Sequence, residues 1–404
     1  MANVIDVGIV GLGVAGVFAA YKLSKEHKGL KIIGFDIGRP QGKRRRVMEG
    51  FLGLFPGSDG KLYQTDIAKV NNITGLRKAK SAHTYFKHLL EEIDELKIIK
   101  DRSPLASMEK KLQKIGYEVF LNDYVQMYPK EIHALSKLLA ESIEANKNVS
   151  FHFDSEVVRI VKQKDTFIIS AEGEDYHCKK LIIATGRSGW RWVSQLYQSL
   201  GIVENNDTAH YGIRIECSSG IMKDFNKSNC TLYKGSDIEI GPLSWYGTII
   251  PEDHVDVAIS AFRSNENRWK TDKVSFSLIG HRYFPNGGYE QTDRLSKLAF
   301  VLSDDRILKE RVSTILSGKS RISIIPEYDW LKGALIELAE AIPEITTKAY
   351  YHVPTILPLI PQILLGENLE TELEGLFVAG ENAGIIGLLS AALTGLIVAD
   401  SVCK

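Results

Sequence analysis

The stretch DVGIVGLGVAGVFAAYKL, residues 6–23, decides the fold of this chain. Its glycines Gly11, Gly13 and Gly16 form the pattern G-x-G-x-x-G. A β-branched run typical of a buried strand precedes them, and apolar residues at helical spacing follow them. The pattern therefore lies at a strand-to-helix turn. In dinucleotide-binding domains the first glycine of such a turn makes the bend, the second admits a pyrophosphate, and the third lets helix and strand pack closely.

A second apolar run, LKIIGFD at residues 30–36, ends in Asp36, twenty residues after Gly16. An acid at this distance is expected to bind the ribose hydroxyls, which favours FAD or NAD over NADP. The free N–H groups at the helix start, at Val14 and Ala15, would hold the phosphates. The alternative interpretation is a buried strand–helix turn that binds no ligand.

Composition limits the class of protein. The 404 residues suffice for two or more domains, and 44% hydrophobic with 25% charged residues is typical of a soluble globular protein. Fifty basic and fifty acidic residues create no global field that would attract nucleic acid or a membrane. Four cysteines without C-x-x-C spacing predict neither a metal site nor a redox disulfide, and the start lacks a signal-peptide pattern, so we expect a cytoplasmic protein.

The middle of the chain contains further elements. A basic loop, GKRRR at residues 42–46, precedes a loop rich in glycine and aromatic residues at 49–66, which could lie flat against a planar ligand. A plain surface loop is the alternative. Helices are predicted at residues 82–100 and Pro129–Asn148, and strands from Val149 onward.

Two more glycine turns follow buried strands, LIIATG at residues 181–186 and GLFVAGENAG at 375–384. A domain for NAD does not need them, whereas FAD is long enough to require contacts at both its adenosine half and its flavin half. The three turns together therefore predict FAD. Glu381 is predicted to bind a ribityl hydroxyl, and the helix after it to direct its positive N-terminus at the pyrimidine side of the flavin.

These segments resemble the uncharacterised FAD-dependent dehydrogenases of the glutathione-reductase-like superfamily. GFLGLFPGSDGKLY (50–63) is similar to the glycine-rich loop of that family, and LIIATGRSGWRWVSQLYQSLGI (181–202) to its A-x-G-R-S-G segment. HYGIRIE (210–216) is similar to the strand that follows, and GLFVAGENAGIIGLLSAALTG (375–395) to the closing motif. The family's cysteine-containing stretch appears here as IGPLSWYGTIIP (240–251) without cysteine, which argues against a thiol–flavin relay.

The resemblance implies an α/β fold: a Rossmann-like FAD-binding domain, three-layered around a parallel sheet, with an inserted β-rich α+β substrate domain. The expected boundaries are 1–205 and 366–404 for the first domain and 206–365 for the second. The resemblance also places an adenine-side contact near Val157 and the loop Ser58–Lys61 near the flavin. The predicted cofactor-binding residues are Gly11, Gly13, Val14, Ala15, Gly16, Asp36, Ile37, Gly38, Ser58, Asp59, Gly60, Lys61, Val157, Ala184, Thr185, Gly186, Gly380, Glu381, Gly384, Ile386 and Gly387.

The predicted activity is that of an FAD-dependent oxidoreductase, which moves a hydride between flavin N5 and a small molecule bound between the two domains. If a nicotinamide, NAD(P)H, reduces this flavin, it must bind transiently in the substrate cleft, because no second G-x-G-x-x-G is present. The alternatives are a flavoenzyme that modifies a nucleic acid or nucleotide and a non-catalytic FAD-binding redox sensor. Substrate, electron donor and oligomeric state stay open. The polar residues considered for the substrate domain, none of them assigned as catalytic, are His210, Tyr211, Arg214, Tyr246, His281 and Arg282.

Overall fold

The structure is a computed structural model that describes residues 4–43, 48–94, 96–102, 105–253, 258–263, 270–303, 307–357 and 362–403. The arginines of the predicted basic loop, residues 44–46, lie outside this part. Within the described residues the helices are α1 Val14–Glu26, α2 Thr65–Thr74, α3 Leu76–Glu91, α4 Ala106–Lys114, α5 Pro129–Glu144, α6 Trp190–Leu200, α7 Gly288–Leu302, α8 Val312–Leu316, α9 Trp330–Ala341, α10 Ile345–Lys348 and α11 Leu388–Val402.

The strands of the same residues fall into the N-terminal half and the C-terminal half of the chain. The first half has β1 Ile5–Val10, β2 Ile32–Phe35, β3 Lys61–Tyr63, β4 Ile98–Ile99, β5 Glu118–Phe120, β6 Tyr124–Gln126, β7 Val149–His152, β8 Val157–Gln163, β9 Thr166–Ala171 and β10 Glu174–Ile183. The second half has β11 Glu204–Asn205, β12 Thr208–Ser218, β13 Thr231–Lys234, β14 Ile238–Ile240, β15 Ser244–Trp245, β16 Thr248–Asp253, β17 Ala258–Arg263, β18 Lys273–Tyr283, β19 Leu308–Arg311, β20 Tyr350–Leu357, β21 Gln362–Ile363 and β22 Leu376–Val378.

The chain divides into two compact units. The first unit comprises Met1–Ile99, Tyr124–Asn205 and Ile360–Lys404, and the second comprises Lys100–Asp123 and Asn206–Leu359. The sequence assigned residues 100–123 to the FAD-binding domain, and this assignment is wrong. Strand β5 pairs with β13 of the second unit, and Leu112 and Tyr117 belong to that unit's hydrophobic core.

The first unit contains a seven-stranded α/β sheet of Rossmann type. Its order is β7-β2-β1-β10-β9-β8, with β22 also paired to β10. Strands β7, β2, β1, β10 and β22 run parallel, whereas β8 and β9 extend the sheet as an antiparallel hairpin. Strands β2 and β22 and the ends of β1 and β10 are buried, mainly apolar runs, as expected where both faces of a parallel sheet are covered. Parallel strands also end at the same edge of a sheet, which places the turns that follow β1, β2, β10 and β22 near one another.

Helix α1 packs on α11 along a close line of contact. A Cβ atom at Gly395 of α11 would lie 2.2 Å from the carbonyl oxygen of Ala15, so the two backbones approach closely only because this position is glycine. Lys22 of α1 is buried and pairs with Asp400 of α11 at 2.7 Å. The helix that begins at the glycine turn is therefore held by the last helix of the described chain.

The second unit is β-rich, with an eight-stranded antiparallel sheet in the order β19-β20-β12-β18-β14-β13-β5 and β15 paired to β18. Alternate residues of its central strands point to opposite faces. One face carries Ile213, Ile215 and Phe276, which form a core with helices α4, α7, α8 and α9. Strands β16 and β17 form a separate pair.

The helix predicted at residues 82–100 is displaced. Helix α3 spans Leu76–Glu91, and Ile98 pairs with Val125 in a three-stranded sheet, β3-β6-β4. Gly75, whose φ of 79° disfavours other residues, ends α2 and starts α3 without an intervening loop. The apolar residues at 98–99 continued the helical periodicity only by coincidence. In the described part of the chain, every helix is too short or too polar to span a lipid bilayer.

Candidate functional site

The three glycines of the G-x-G-x-x-G turn differ in what surrounds them. A Cβ at Gly11 would lie 2.5 Å from the backbone of Ala184, and one at Gly16 would lie 1.9 Å from the Gly11 oxygen. Packing of the chain alone therefore requires these two glycines. At Gly13 φ is −68°, and the nearest atom to a Cβ would be the Ala184 oxygen at 4.0 Å. Nothing in the described chain requires glycine at this position, so the space beside Gly13 is open to a ligand.

The N-terminus of α1 faces that space. Gly13 is its N-cap residue, no side chain caps the first turn, and the first turn carries no acidic residue. The first N–H groups of a helix have no partner within the helix and carry partial positive charge. An anion bound there would accept hydrogen bonds from these N–H groups and would be stabilised by their positive charge.

Asp36 connects three backbone segments at the end of β2. Its Oδ2 accepts a hydrogen bond from the N–H of Leu12 at 2.8 Å, and its Oδ1 accepts from Gly38 and Gly50, each at 2.8 Å. Burial raises the pKa of this carboxyl, and the three N–H donors oppose that rise. The acid predicted to meet a ribose thus also fixes the glycine turn and the loop at 48–53. Ile37 beside it is exposed.

The segment before Val157 reaches the same place. The N–H of Ser155 donates to the Asp36 carbonyl at 3.0 Å, and the N–H of Asp154 donates to the Gly38 carbonyl at 2.7 Å. Val157 itself is buried at the start of β8. The structure therefore brings the segment just before the predicted adenine-side residue beside Asp36 and Gly38, which no local pattern in the sequence connects.

The second and third glycine turns are hydrogen-bonded to each other. The N–H of Gly186 donates to Oδ1 of Asn382 at 3.0 Å, and the Asn382 amide donates to Oγ1 of Thr185 at 3.3 Å. The N–H of Ala184 donates to the Val10 carbonyl at 2.8 Å, which joins this pair to the first turn. Gly380 lies against Ala15 of α1, since a Cβ there would be 3.1 Å from the Ala15 side chain.

Glu381 forms an ion pair with Arg187. Arg187 Nη2 donates to Glu381 Oε1 at 2.7 Å and Nε donates to Oε2 at 3.1 Å, which makes the pair bidentate. Both side chains are only 16% exposed. The predicted ribityl acceptor is therefore engaged by Arg187, to which the sequence analysis assigned no role. An arginine directly after one glycine turn and an acid in another were the available signal for this pair.

A buried carboxylate from α2 lies at the N-terminus of α11. Asp66 of α2 is buried, and the Ser390 N–H donates to its Oδ2 at 3.4 Å. Lys69 pairs with Asp66 Oδ1 at 2.9 Å and also donates to the Ile386 carbonyl at 3.1 Å. The sequence predicted that this helix end would face the flavin, and it did not reveal that Asp66 lies at the same end. The positive end of α11 is in contact with this carboxylate.

Contacts with β6 fix the loop Ser58–Lys61. Met127 N–H donates to the Gly60 carbonyl at 2.9 Å, and Gln126 donates to the Asp59 carbonyl at 2.8 Å. Lys61 is 12% exposed and lies 3.6 Å from Asp59. Upstream, Phe51, Leu52 and Phe55 are buried. The segment is thus anchored in the first unit and is not a plain surface loop.

The polar candidates of the second unit lie on different faces of its sheet, because successive residues of a strand point to opposite sides. His210 and Arg214 of β12 and His281 of β18 lie on one face of the sheet. The rings of His210 and His281 are 4.0 Å apart, and His281 lies 3.5 Å from Glu239.

Two other candidates of the second unit lie on the opposite, core face. Tyr211 is buried and its hydroxyl donates to the Glu327 carbonyl at 3.0 Å, while Arg282 stacks on Trp330. Tyr246 has a φ of 65°, a conformation that non-glycine residues seldom adopt. These placements leave His210, Arg214 and His281 as the candidates that share the face away from the core.

The His210 ring should make stability depend on pH. Burial, and secondarily His281, lowers its pKa to about 4, against about 6.5 in an unfolded chain. Between these values the unfolded state binds the proton and the folded state does not, so stability falls as the pH falls from 6.5 to 4. We expect a contribution of about 2 kcal/mol, since the ring is partly exposed. Urea unfolding at pH 7 and pH 4.5 should show a smaller difference for His210→Asn than for wild type, and parallel losses would contradict this assignment.

The turn before α11 should tolerate no side chain at Gly387. Its φ is 142°, and a Cβ would lie 2.1 Å from Asp66 Oδ2. We expect Gly387→Ala to lower the free energy of unfolding by more than about 2 kcal/mol. Gly173→Ala is the matched control, because Gly173 has a φ of 81° and no atom near its Cβ position. The double variant Gly387→Ala/Asp66→Ala should lose about 1 kcal/mol less stability than the sum of the two single losses, because the clash is removed. Strictly additive losses would show that the two side chains do not clash.

Several solved structures are similar to this chain over most of its length. Glycine oxidase from Geobacillus kaustophilus has 17% identity and a TM-score of 0.42, with 98% of this chain and 94% of that chain covered. Pyridoxine 4-oxidase from Mesorbium loti has 12% identity and a TM-score of 0.43, with 98% of both chains covered. For p-nitrophenol 4-monooxygenase PnpA from Pseudomonas putida DLL-E4 the values are 10% and 0.43, with 100% and 77% covered.

No protein-family model matches the sequence, and no curated protein matches it. The resemblance to the uncharacterised dehydrogenases therefore stays a prediction. The geometry of the first unit, and not the similarity to these solved structures, indicates a function.

Proposed function

We propose that the first unit binds FAD and that the protein is an FAD-dependent oxidoreductase acting on a small molecule. The observation that supports this most directly is the open space beside Gly13 at the N-terminus of α1. No contact with the described residues requires glycine there, and no side chain caps the first turn of the helix. An anionic pyrophosphate suits both features. A buried turn without a ligand would not need glycine at this position.

Different residues of the first unit would bind different parts of the cofactor. The N–H groups at Val14 and Ala15 would hold the phosphates, and Asp36, fixed by its three N–H donors, would present its remaining acceptor capacity to the ribose. Backbone at Val157 would lie on the adenine side. The paired turns at Thr185–Gly186 and Gly380–Glu381 would hold the middle of the cofactor in a fixed position, because Asn382 and Arg187 couple them.

FAD supplies the redox chemistry itself, by exchange of a hydride with the substrate, so the protein needs to bind and orient more than to react. Lys61 and Asp59, held near β6, and Gly384, Ile386 and Gly387, at the start of α11, are the residues we propose for the flavin end. The carboxylate of Asp66 at that helix end would oppose additional negative charge nearby. We assign no residue to proton transfer.

The test is an absorption spectrum of freshly purified protein, followed by anaerobic addition of NADH and then NADPH. Two flavin bands that survive gel filtration would support the proposal, and bleaching by either nicotinamide would define the electron donor. Bands that stay unbleached would assign reduction to the substrate, which amines and hydroxy acids would then probe. Absence of flavin bands after reconstitution with FAD would overturn the proposal.

A further inference from the structure

The first unit has a pocket beside the start of α11. It is formed between helix α3 and the small sheet β3-β6-β4, and its volume is about 70 Å³. Leu62 and Val125, paired neighbours in the sheet, form one wall. Phe86 of α3 and Leu389 of α11 form the opposite wall and the floor. These side chains are all buried, so the pocket reaches into the core.

Besides the ion pair Lys87–Glu91, the polar groups of the lining are the imidazole of His83 and the amide of Gln64, which donates to the Leu62 carbonyl at 3.4 Å. Within the described part of the chain, no hydrogen bond to the His83 ring is present. Burial, and secondarily Lys87, lowers the pKa of His83, so the ring is neutral at pH 7 and has one donor and one acceptor nitrogen. A ligand with a hydroxyl group could use either nitrogen.

The mouth of the pocket carries no net charge. Lys87 and Glu91, one turn apart on α3, lie there and form an ion pair at 3.6 Å. Ile98 lies at the mouth as well and is 49% exposed. The surroundings therefore favour neither an anion nor a cation, and they favour a neutral ligand with an apolar body.

The size of the pocket limits the ligand further. A cavity needs roughly 10–15 Å³ to hold one water molecule, so about 70 Å³ holds a group of several non-hydrogen atoms, such as a single ring. A mainly apolar lining with a few polar groups is the usual form of a small-molecule site. We propose that this pocket is a binding site for a small neutral molecule with one aromatic ring and one hydroxyl group. The ring would pack on Phe86 and Leu62, and the hydroxyl would bond to His83.

The proposal does not depend on FAD, and it can be tested with phenol. Isothermal titration of the purified protein should give a Kd below about 1 mM, as expected for a compact ligand that is largely enclosed. Ile98→Trp should fill the mouth and weaken binding at least about tenfold. Ile99→Trp is the matched control, because Ile99 follows in the same short strand, is 41% exposed and does not line the pocket.

The role of His83 is separable from that of the apolar walls. In His83→Leu the affinity for phenol should fall about fivefold, whereas the affinity for toluene should stay the same. Only phenol has a hydroxyl group that can hydrogen-bond to the His83 imidazole. Absence of phenol binding by the wild type would overturn the proposal. Equal affinity in Ile98→Trp and Ile99→Trp would overturn it too, since the bound phenol would then lie elsewhere.

Discussion

Gly13→Asp should abolish FAD binding while leaving the protein folded. Aspartate is among the preferred N-cap residues and is favoured by the helix dipole, so it should keep the stability of α1 within about 1 kcal/mol of the wild type. The position is open, because the nearest atom to the new Cβ is 4.0 Å away. The added carboxylate would occupy the proposed pyrophosphate space and repel it. We expect the affinity for FAD to fall at least about 100-fold.

The matched variants separate charge from bulk. Gly13→Asn fills the same space without charge and should weaken FAD binding about tenfold, while Gly29→Asp, at a glycine with open surroundings beyond the end of α1, should leave it unchanged. Affinity is measured by flavin fluorescence, and thermal unfolding is measured on the apo-protein because bound FAD would itself raise stability. Equal FAD affinity in wild type and Gly13→Asp would show that the turn does not hold the pyrophosphate.

Disrupting the pair of Arg187 and Glu381 should produce the largest loss of stability. Either Arg187→Ala or Glu381→Ala leaves the other charge in a site where both side chains are 16% exposed. We expect each single variant to lower the free energy of unfolding of the apo-protein by about 2–4 kcal/mol, because a largely buried charged side chain loses its bidentate partner. The double variant should lose about 2 kcal/mol less than the sum of the two single losses.

Arg187→Lys tests the geometry of this pair. Lysine keeps the charge but not the planar fork that contacts both oxygens of Glu381, so its stability should fall between those of wild type and Arg187→Ala. Urea unfolding followed by circular dichroism measures the wild type and all four variants. Additive losses in the double variant would mean that the two side chains act independently.

The parallel sheet and the first turn could be predicted because their signals are local. Apolar runs, the spacing of Gly11, Gly13 and Gly16, and the acid after β2 all lie within 36 residues of the sequence. The same reasoning predicted a helix from Pro129 and strands from Val149 onward, where the structure has α5 and then β7 to β10. Hydrophobic periodicity and turn glycines determine such elements before any tertiary contact forms.

Long-range partners could not be predicted in this way. Glu381 lies 194 residues from Arg187, and Asp66 lies 324 residues from Ser390, so no spacing rule connects them. Strand β5 has only three residues and is defined by its pairing with β13, which is why residues 100–123 were placed in the wrong unit. Helix α3 was misplaced because Ile98 fits a helical repeat as well as a strand.

The contact between α1 and α11 also affects the order of events on the ribosome. Translation proceeds at about 5–20 residues per second, so α11, from Leu388, emerges on the order of 20–70 s after α1 ends at Glu26. During that interval α1, which is buried over nearly its whole length in the folded protein, lacks its main packing partner. The nascent chain would therefore expose an apolar helix that chaperones can bind. The turn at Gly11–Gly16 would become complete only when Gly380 and Gly395 reach Ala15, and insertion of a cofactor would follow the docking of α11.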